Sequence, residues 1–453
     1  MFVIPTVAAL LLFVYFRPHE IFETLKPLTF NLIAGLLAWG LVMDLRMGFV
    51  RLRGTALLWL GTACLTFCLI SHAIKASPSL GMAFPTVGAS LLIFALISHG
   101  LPNFRALEAT AAVLLAITLA IAAIGVHQAL SPFTCFAYSP TTRMTSPDGR
   151  PCPGPEEKEE CRRGGFPEAR YQCERPGIFD TFSVQGRVRY RGILQDPNEL
   201  AWAVCMGTPL AFALYGRKRS AFRFLVLAAM LSLGAVCVIK TQSRSGQLTF
   251  AAMLGVYFVR RYKWKGAMVA LIAAAPVMLL GGRSGESASE STEERLEAWK
   301  QGFQMWQSDY LLGVGHGQFT EHHYLTAHSS LVLSLAELGP IGFFLWTATV
   351  YFAFKITLRA QIEYSGSDQA AVAQTWSTAV LASLTGTLVS AFFLSIPYHP
   401  IVWIDLGLAG ALYAAIRNHD PNFRVRFGWA DFAAVAVGNI AIVASLKIYL
   451  IFH

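Results

Sequence analysis

The stretch GRSGESASESTEERLEAWKQGFQMW, from Gly282 to Trp306, opens the segment around which this chain is organised. It leads through a glycine-spaced run, LLGVGHGQF (Leu311–Phe319), into the apolar sequence AHSSLVLSLAELGPIG (Ala327–Gly342). Polar sequence thus becomes hydrophobic within a few residues, and His328 stands at the change. This pattern indicates a polar segment that lies over one face of a bilayer and then enters it as a helix.

The composition of the whole chain supports a membrane location. Of its 453 residues, 55% are hydrophobic and 14% are charged, whereas soluble domains carry about 25% charged residues. We predict an all-α polytopic membrane protein, because helices satisfy their own backbone hydrogen bonds in lipid. The net charge of +9 fits the Lys and Arg excess of cytoplasmic loops and does not indicate a nucleic-acid partner.

Apolar length predicts about 12–13 transmembrane helices with two large loops. The spans are expected near residues 2–17, 29–45, 54–75, 78–98, 105–128, 198–216, 222–240, 245–260, 265–281, 328–357, 371–394, 398–416 and 429–451. Basic clusters follow alternate spans and fall on one side if the N-terminus is cytoplasmic. The polar segments 130–197 and 282–327 then share the outer face. The expected divisions are 1–129 (N-terminal helices), 130–197 (a Cys-containing loop), 198–281 (central helices), 282–327 (a second loop) and 328–453 (C-terminal helices).

The cysteines fall into two groups. Four lie in one polar segment: Cys135, Cys152, Cys161 and Cys173. We expect them to form two disulfides in an oxidising compartment, with three connectivities possible. Four others lie in apolar runs and are expected to pack as small hydrophobic residues: Cys64, Cys68, Cys205 and Cys237.

The apolar run 328–357 is too long for one straight crossing, and Gly339-Pro340 should break it. We predict a short helix from His328 to Leu338, a kink, and then a crossing helix. His328 would lie in the first turn of the short helix. The positive end of the helix dipole disfavours imidazolium there and keeps the imidazole able to accept a proton.

Arginines on the predicted outer side oppose the usual charge bias and need an explanation. They are Arg187, Arg189, Arg191, Arg244, Arg283 and Arg295. A guanidinium can bind phosphate oxygens through two hydrogen bonds, and it can also extend toward lipid headgroups. We interpret Arg191, Arg244 and Arg295, converging with His328, as a ligand site, because charges at the membrane edge are candidates for function.

Other polar residues are interpreted as structural. A metal site built from His316, His322 and His323 fits no familiar zinc spacing. The glycine run Leu311–Phe319 could cradle phosphate, but a turn is favoured outside a strand-turn-helix context. Two carboxyl groups inside apolar runs are expected to pair with arginine across the bundle and are assigned no chemistry: Glu337 and Asp405.

Four motifs resemble those of the O-antigen ligase and polysaccharide polymerase family. HSSLVLSLAELGPIG is similar to its hallmark of His, then Asn, Ser or Gln, nine residues, Gly, two residues and Gly; here these are His328, Ser329, Gly339 and Gly342. The other three similar motifs are RGILQDPNELA (Arg191–Ala201), TQSRSG (Thr241–Gly246), and ERLEAWKQGFQMW followed by GVGHGQF. The resemblance covers about residues 190–345, and the cysteine-containing loop lies outside it.

The resemblance implies a glycosyltransferase of GT-C-like architecture at the periplasmic face of the bacterial inner membrane. Its donor would be an undecaprenyl-pyrophosphate-linked glycan, and its reaction would invert the anomeric centre without metal or cofactor. Arg191, Arg244 and Arg295 would bind the pyrophosphate, and His328 would accept the proton of the acceptor hydroxyl. The expected supporting residues are Arg189, Asn198, Gly315, Gly317 and Ser329.

The motifs leave the acceptor open. An O-antigen ligase, which uses lipid A-core, is favoured over a polymerase, which uses a second lipid-linked glycan, and over a protein O-oligosaccharyltransferase. A polysaccharide transporter without catalytic activity is an alternative from a different class. The sequence shows no inverted repeat and no matching pair of interrupted helices, which transporters often have.

Overall fold

The computed structural model describes residues 2–27, 30–50, 54–138, 145–155, 158–162, 170–268, 272, 286–364 and 370–452. Most of the predicted ninth span, 265–281, and Arg283 lie outside the described residues.

Apolar helices form the first half of the chain, with a small sheet between two of them. The helices are α1 (Val3–Leu11), α2 (Pro18–Ile21), α3 (Phe30–Arg46), α4 (Ala56–Lys75), α5 (Leu80–Gly100), α6 (Phe104–Leu130), α7 (Lys158–Arg162), α8 (Pro197–Cys205) and α9 (Gly207–Arg217). The strands are β1 (Thr134–Tyr138), β2 (Thr145–Pro151) and β3 (Arg170–Glu174). A π-helix, Leu12–Phe16, extends α1. Pro209 explains why α8 and α9 are separate, because its ring has no N–H to donate to the carbonyl of Cys205.

The second half of the chain is also helical. Its helices are α10 (Ala221–Lys240), α11 (Arg244–Tyr262), α12 (Glu286–Ser308), α13 (Phe319–His322), α14 (Ser330–Glu363), α15 (Ala371–Phe393), α16 (Pro400–His419) and α17 (Trp429–Phe452). Helix α12 occupies much of the segment 282–327 that was predicted as a loop. Its sequence is polar but rich in Glu and Gln, which have high helix propensity.

Eight helices within the described residues are long and apolar enough to cross a membrane. They are α4, α5, α6, α10, α14, α15, α16 and α17. The prediction of an all-α polytopic membrane protein is confirmed, with the small sheet as an addition to it. The core lies where these helices pack on one another, with Trp202, Trp376 and Trp403 fully buried in it.

One end of the bundle collects basic residues. Glu108 in α6 pairs with Arg223 in α10 at 3.0 Å, and Val3 of α1 packs against Gly100, just before α6 begins. The N-terminal residues of α1 therefore lie at this end. Other basic residues in the connections here include Arg217, Lys218, Arg219, Arg417, Arg424 and Arg426.

The described parts of the two long polar segments lie at the opposite end. Segment 130–197 runs from the end of α6 to the start of α8, and its Arg187 Nε donates to the carbonyl of Thr241, between α10 and α11, at 2.8 Å. Trp299 of α12 donates from Nε1 to the carbonyl of Ala327, just before α14, at 2.9 Å. His399, at the start of α16, has its Nε2 3.4 Å from the carbonyl oxygen of Ile193. The described parts of both segments therefore lie at the same end of the bundle.

Two disulfides hold the small sheet together, as predicted. The strands are antiparallel in the order β2-β1-β3, and Cys135 lies opposite Cys173 in the β1–β3 register. The bonds nevertheless join Cys135 to Cys161 and Cys152 to Cys173, which selects one of the three connectivities. The four cysteines in the apolar helices are free and buried.

The kink predicted in α14 occurs at Gly339, where φ is 61° and ψ is −168°. Pro340 has no N–H to donate to the carbonyl of Ala336, four residues earlier. The glycine run supplies the missing donors instead. Val314 N–H donates to the Ala336 carbonyl and Gly315 N–H to the Glu337 carbonyl, each at 2.9 Å.

Replacing Gly339 by alanine should destabilise the protein. An added Cβ would lie 2.3 Å from the Leu311 carbonyl oxygen, and the positive φ alone costs about 1–3 kcal/mol for a residue with a side chain. We expect a lower melting temperature in detergent and faster proteolysis near Leu311. Gly88→Ala, in α5, is the matched control, because its Cβ would meet nothing within 4 Å. Equal melting temperatures for the two variants would contradict this account of the kink.

Candidate functional site

His328 stands in a strained and fixed piece of backbone. Its φ of +47° is in the left-handed region, which residues with a side chain adopt at a cost and which is common at functional sites. Neighbours hold it on both sides. Trp299 binds the Ala327 carbonyl, and the Ser330 hydroxyl donates to the Leu394 carbonyl at 2.6 Å. The half-buried imidazole is therefore carried on a backbone that cannot easily move.

The structure corrects the predicted position of His328 relative to the helix. Helix α14 begins at Ser330, with Ser329 as its N-cap residue, so His328 precedes the first turn instead of lying in it. The left-handed φ of His328 prevents the helix from extending back to it. The imidazole still lies near the positive end of α14.

Two charged groups act on the imidazole, from different parts of the chain. Burial lowers the pKa of His328, the Arg295 guanidinium lowers that pKa further, and the Asp196 carboxylate opposes both effects. Arg295 lies four residues before Trp299 in α12, so both side chains project from the same face of that helix toward His328. The sequence motifs predicted that Arg295 lies near His328, but they did not identify Asp196 as a residue that acts on it.

Asp196 belongs to a braced turn at the start of α8. Its Oδ1 accepts the backbone N–H of Asn198 at 2.7 Å and the Asn198 side-chain N–H at 2.8 Å. The Oδ1 of Asn198 in turn accepts from Arg187 at 3.2 Å. A buried arginine thus fixes the asparagine, and the asparagine fixes the carboxylate. The pattern Asp-Pro-Asn is a common helix start, and this was the signal in the sequence from which Asp196 could have been found.

Arg244 is the first residue of α11, and its side chain is exposed. The start of α11 lies against α8, because an added Cβ on Gly246 would come within 2.3 Å of Ala201. Asn198 is one turn before Ala201, so Arg244 and Asn198 lie at adjacent helix ends. The TQSRSG and RGILQDPNELA motifs are therefore neighbours in space.

Arg191 and Arg189 have different surroundings. Arg191 donates from Nη1 to the carbonyl of Glu20 at 3.1 Å, in the N-terminal segment that follows α1. The Arg189 guanidinium lies over the Phe182 ring at 4.3 Å and donates to the Phe182 carbonyl at 3.0 Å. Arg189 thus helps to fold segment 130–197 onto itself.

The remaining predicted residues have structural contacts. The N–H of Gly315 is used by the kink of α14, and Gly317 has a φ of +72° in the turn that follows. Ser329 is buried at the start of α14. Phe319 N–H donates to the Glu337 carboxylate at 3.0 Å, so this carboxylate holds the loop, and no ion pair with arginine is seen for it among the described residues.

His316, His322 and His323 have separate surroundings. His316 packs against Tyr398, with ring centres 4.3 Å apart, and against His72. Burial first, and then the charge of His72, lower the pKa of His316 to about 4. His323 packs against Phe319 and Tyr324. His322, at the end of α13, is exposed.

Comparison with known proteins yields one family. Residues 228–347 match the family model described as O-antigen ligase. The matched segment contains Arg244, Arg295 and His328, whereas Arg191 and Asp196 precede it. No curated protein matches the chain.

The titration of His328 should depend on the charge at position 295. Arg295→Gln removes a positive charge that disfavours imidazolium, so the pKa of His328 should rise. Arg295→Lys keeps the charge and should leave the pKa near its original value. NMR titration of histidine-labelled protein in detergent, with His328→Gln to assign the resonance, measures both. Identical titration of His328 in the original and Arg295→Gln proteins would show that Arg295 does not act on it.

Proposed function

Because residues 228–347 match the family model described as O-antigen ligase, we propose that this chain transfers a glycan from a lipid pyrophosphate to an acceptor hydroxyl. The family match supports a glycosyltransferase of the O-antigen ligase or polymerase type, and the donor, the acceptor and the residue roles are our inference. One observation carries the proposal. A half-buried imidazole is held in left-handed backbone at the polar end of a membrane bundle, and an arginine and a carboxylate both act on it electrostatically.

Arginine chemistry supports a pyrophosphate donor such as undecaprenyl pyrophosphate. The bond that breaks joins the anomeric carbon to a phosphate oxygen, and negative charge grows on that oxygen as the bond breaks. Guanidinium groups can neutralise the charge through paired hydrogen bonds without a metal. We assign this role to three arginines. Arg295 acts on His328, Arg244 lies next to α8, and Arg191 contacts the N-terminal segment at the same end of the bundle.

His328 would act on the acceptor. Its neutral imidazole takes the hydroxyl proton as the acceptor oxygen attacks the anomeric carbon from the face opposite the leaving group. A new carbon–oxygen bond forms, the pyrophosphate leaves with its electron pair, and the imidazolium later releases the proton to solvent. Burial and Arg295 lower the pKa of His328, which favours the neutral imidazole, the form that can accept a proton.

The distribution of charge supports a periplasmic site. Connections that contain Lys and Arg collect at the end of the bundle where α1 begins. Membrane proteins place such connections in the cytoplasm. The two disulfides lie at the other end, and disulfides persist in oxidising compartments such as the periplasm. We therefore place His328 on the outer face of the bacterial inner membrane.

Replacement of His328 should strongly reduce glycan transfer and leave the fold intact. In purified protein supplied with an undecaprenyl-pyrophosphate glycan and an acceptor, His328→Ala should lower release of free undecaprenyl pyrophosphate by roughly 10²–10⁴-fold. His322→Ala is the matched control, because that imidazole is exposed and outside the proposed site. Equal activity of the His328→Ala and His322→Ala proteins would remove His328 from the mechanism. Movement of intact glycan across vesicles without pyrophosphate release would favour transport instead.

The acceptor can be identified in cells. We favour an O-antigen ligase using lipid A-core, with a polymerase and a protein O-oligosaccharyltransferase as alternatives. In a deletion strain, a ligase predicts polymer missing from lipid A-core while full-length lipid-linked polymer accumulates. Single-repeat products on lipid A-core would identify a polymerase, and loss of glycan from Ser or Thr of a protein would identify the third activity.

A further inference from the structure

The N-terminal segment that follows α1 brings a further arginine to the polar end of the bundle. Arg17 is the C-cap residue of the π-helix Leu12–Phe16, and its φ of +53° is left-handed, which costs energy for a residue with a side chain. The Tyr190 hydroxyl donates to the Phe16 carbonyl at 2.9 Å. Arg17 is therefore held beside the RGILQDPNELA motif, although it lies far from that motif in the sequence.

The side chain of Arg17 rests on the backbone of Gly192. A Cβ added to Gly192 would come within 2.2 Å of Arg17 Nε and within 2.4 Å of its Cζ, so only glycine leaves room for the guanidinium here. Arg191 directly precedes Gly192, and its Nη1 donates to the Glu20 carbonyl at 3.1 Å. The Arg17 guanidinium contacts the same residue through the Glu20 carboxylate. The two arginines thus converge on one residue from separate segments.

Glu20 leaves part of the hydrogen-bonding capacity of the two arginines unused. Its Oε1 accepts from Arg17 Nε at 2.8 Å and lies 2.5 Å from Arg17 Nη2. The Nε of Arg191 is buried and has no acceptor among the described residues. Two positive charges share one carboxylate that is 32% exposed, and ion pairs this exposed contribute little to stability. An anion with several oxygens could therefore join Glu20 or replace it.

The two arginines and His328 are linked through the connection between α15 and α16. The carbonyl oxygen of Ile193 lies 3.4 Å from His399 Nε2. In the same connection, Ile396 N–H donates to the Ser330 hydroxyl at 3.0 Å, and Ser330 is two residues after His328. The arginines therefore lie at the end of the bundle that carries the proposed site.

Exposed apolar side chains flank the arginines. They are Phe22, Ile178 and Phe179. The Phe179 ring lies 5.9 Å from the Phe16 ring and 6.3 Å from the Phe22 ring. Phe179 and Asp180 both have left-handed backbone, with φ of 59° and 54°, so the segment that presents the Phe179 ring is held at a cost in energy. A ligand with an anionic group and an apolar chain matches these surroundings.

We propose that Arg17 is a further donor-binding residue, and that Arg17 and Arg191 form one pair of guanidiniums for the pyrophosphate of the lipid-linked donor. This inference rests on the proposed function. Each planar guanidinium can donate two parallel hydrogen bonds to phosphate oxygens, and the Nε of Arg191 then gains an acceptor. Glu20 holds Arg17 in place before the donor binds. Arg17 precedes residues 228–347, which match the family model, and it lies outside the four motifs.

Binding of farnesyl pyrophosphate, a short lipid pyrophosphate, to the purified full chain in detergent tests the pair by calorimetry. Arg17→Gln should raise Kd at least about tenfold, because charge-assisted hydrogen bonds are lost. Arg17→Lys should restore little affinity, because lysine cannot form the two parallel bonds. Lys26→Gln is the control for loss of a positive charge, because Lys26 is an exposed cation in the same segment, and it should leave Kd unchanged.

Glu20→Gln separates anion binding from folding of the N-terminal segment. This change breaks the same ion pair as Arg17→Gln but keeps both guanidiniums. It removes a competing negative charge, so Kd should stay the same or fall. Equal weakening of binding by Arg17→Gln and Glu20→Gln would show that Arg17 only holds the segment, and it would overturn the inference. Absence of farnesyl pyrophosphate binding by the original protein would overturn it as well.

A lipid headgroup is another source of phosphate at this end of the bundle. If Arg17 binds a headgroup instead, Arg17→Gln should lower the amount of phosphatidylglycerol retained by the purified protein and leave the Kd for farnesyl pyrophosphate unchanged. That result would overturn the inference. A raised Kd for both farnesyl pyrophosphate and inorganic pyrophosphate supports it, because the shared group is then what Arg17 binds.

The binding measurement distinguishes this inference from the proposed function. If Arg17→Gln weakens farnesyl pyrophosphate binding while even the original protein releases no undecaprenyl pyrophosphate from a glycan donor, the arginine pair stands and the proposed reaction fails. If the original protein is active and Arg17→Gln binds and transfers equally well, the inference is wrong and the proposed reaction stands.

A measurement on the original protein covers the case in which Arg17→Gln fails to fold. Farnesyl pyrophosphate should protect Arg17 and Arg191 from modification by phenylglyoxal with the same midpoint, as followed by mass spectrometry of peptides. Arg105, which is exposed at the start of α6, should be modified at an unchanged rate. Modification of Arg17 that does not respond to farnesyl pyrophosphate would contradict the proposal without any variant.

Discussion

The break in α14 is the constraint on which the polar end of this molecule depends. Pro340 leaves the carbonyl of Ala336 without its helical donor, inside a bundle where water cannot replace it. The N–H groups of Val314 and Gly315 satisfy the exposed carbonyls. A loop that could otherwise move is therefore attached to a membrane helix by backbone bonds. Because the same loop leads through α13 to His328, the kink limits where the imidazole can lie.

The arginines at this end divide into two kinds by what they contact. Arg187 and Arg189 donate to backbone carbonyls and side chains of their own surroundings, so they hold the loop and the start of α8. Arg295 acts on His328, and Arg244 is exposed at the start of α11. Some arginines at this end thus serve folding, and others serve the proposed ligand binding. Sequence spacing alone does not separate the two groups.

The sequence was sufficient to predict the features that depend on local chemistry. Apolar length predicted the eight described helices that are long and apolar enough to cross a membrane, and Gly339-Pro340 predicted the kink. The pairing of Cys135 with Cys161 could not be predicted, because cysteine spacing does not encode which strands lie side by side. Helix α12 was missed because its polar sequence was interpreted as a loop. Asp196 was missed because a cap residue looks the same in the sequence whether or not its charge acts on a histidine from another segment.

Opposed charges around His328 resolve a conflict in what a base must do. A low pKa keeps the imidazole neutral and ready, but it also makes the base weak, since the imidazolium is then costly to form. Arg295 and burial supply the first property. The Asp196 carboxylate opposes both effects on the pKa of His328 and so offsets part of that cost. Arg187 bonds Asn198 and Asn198 bonds Asp196, so this charge belongs to a turn that is itself held in place.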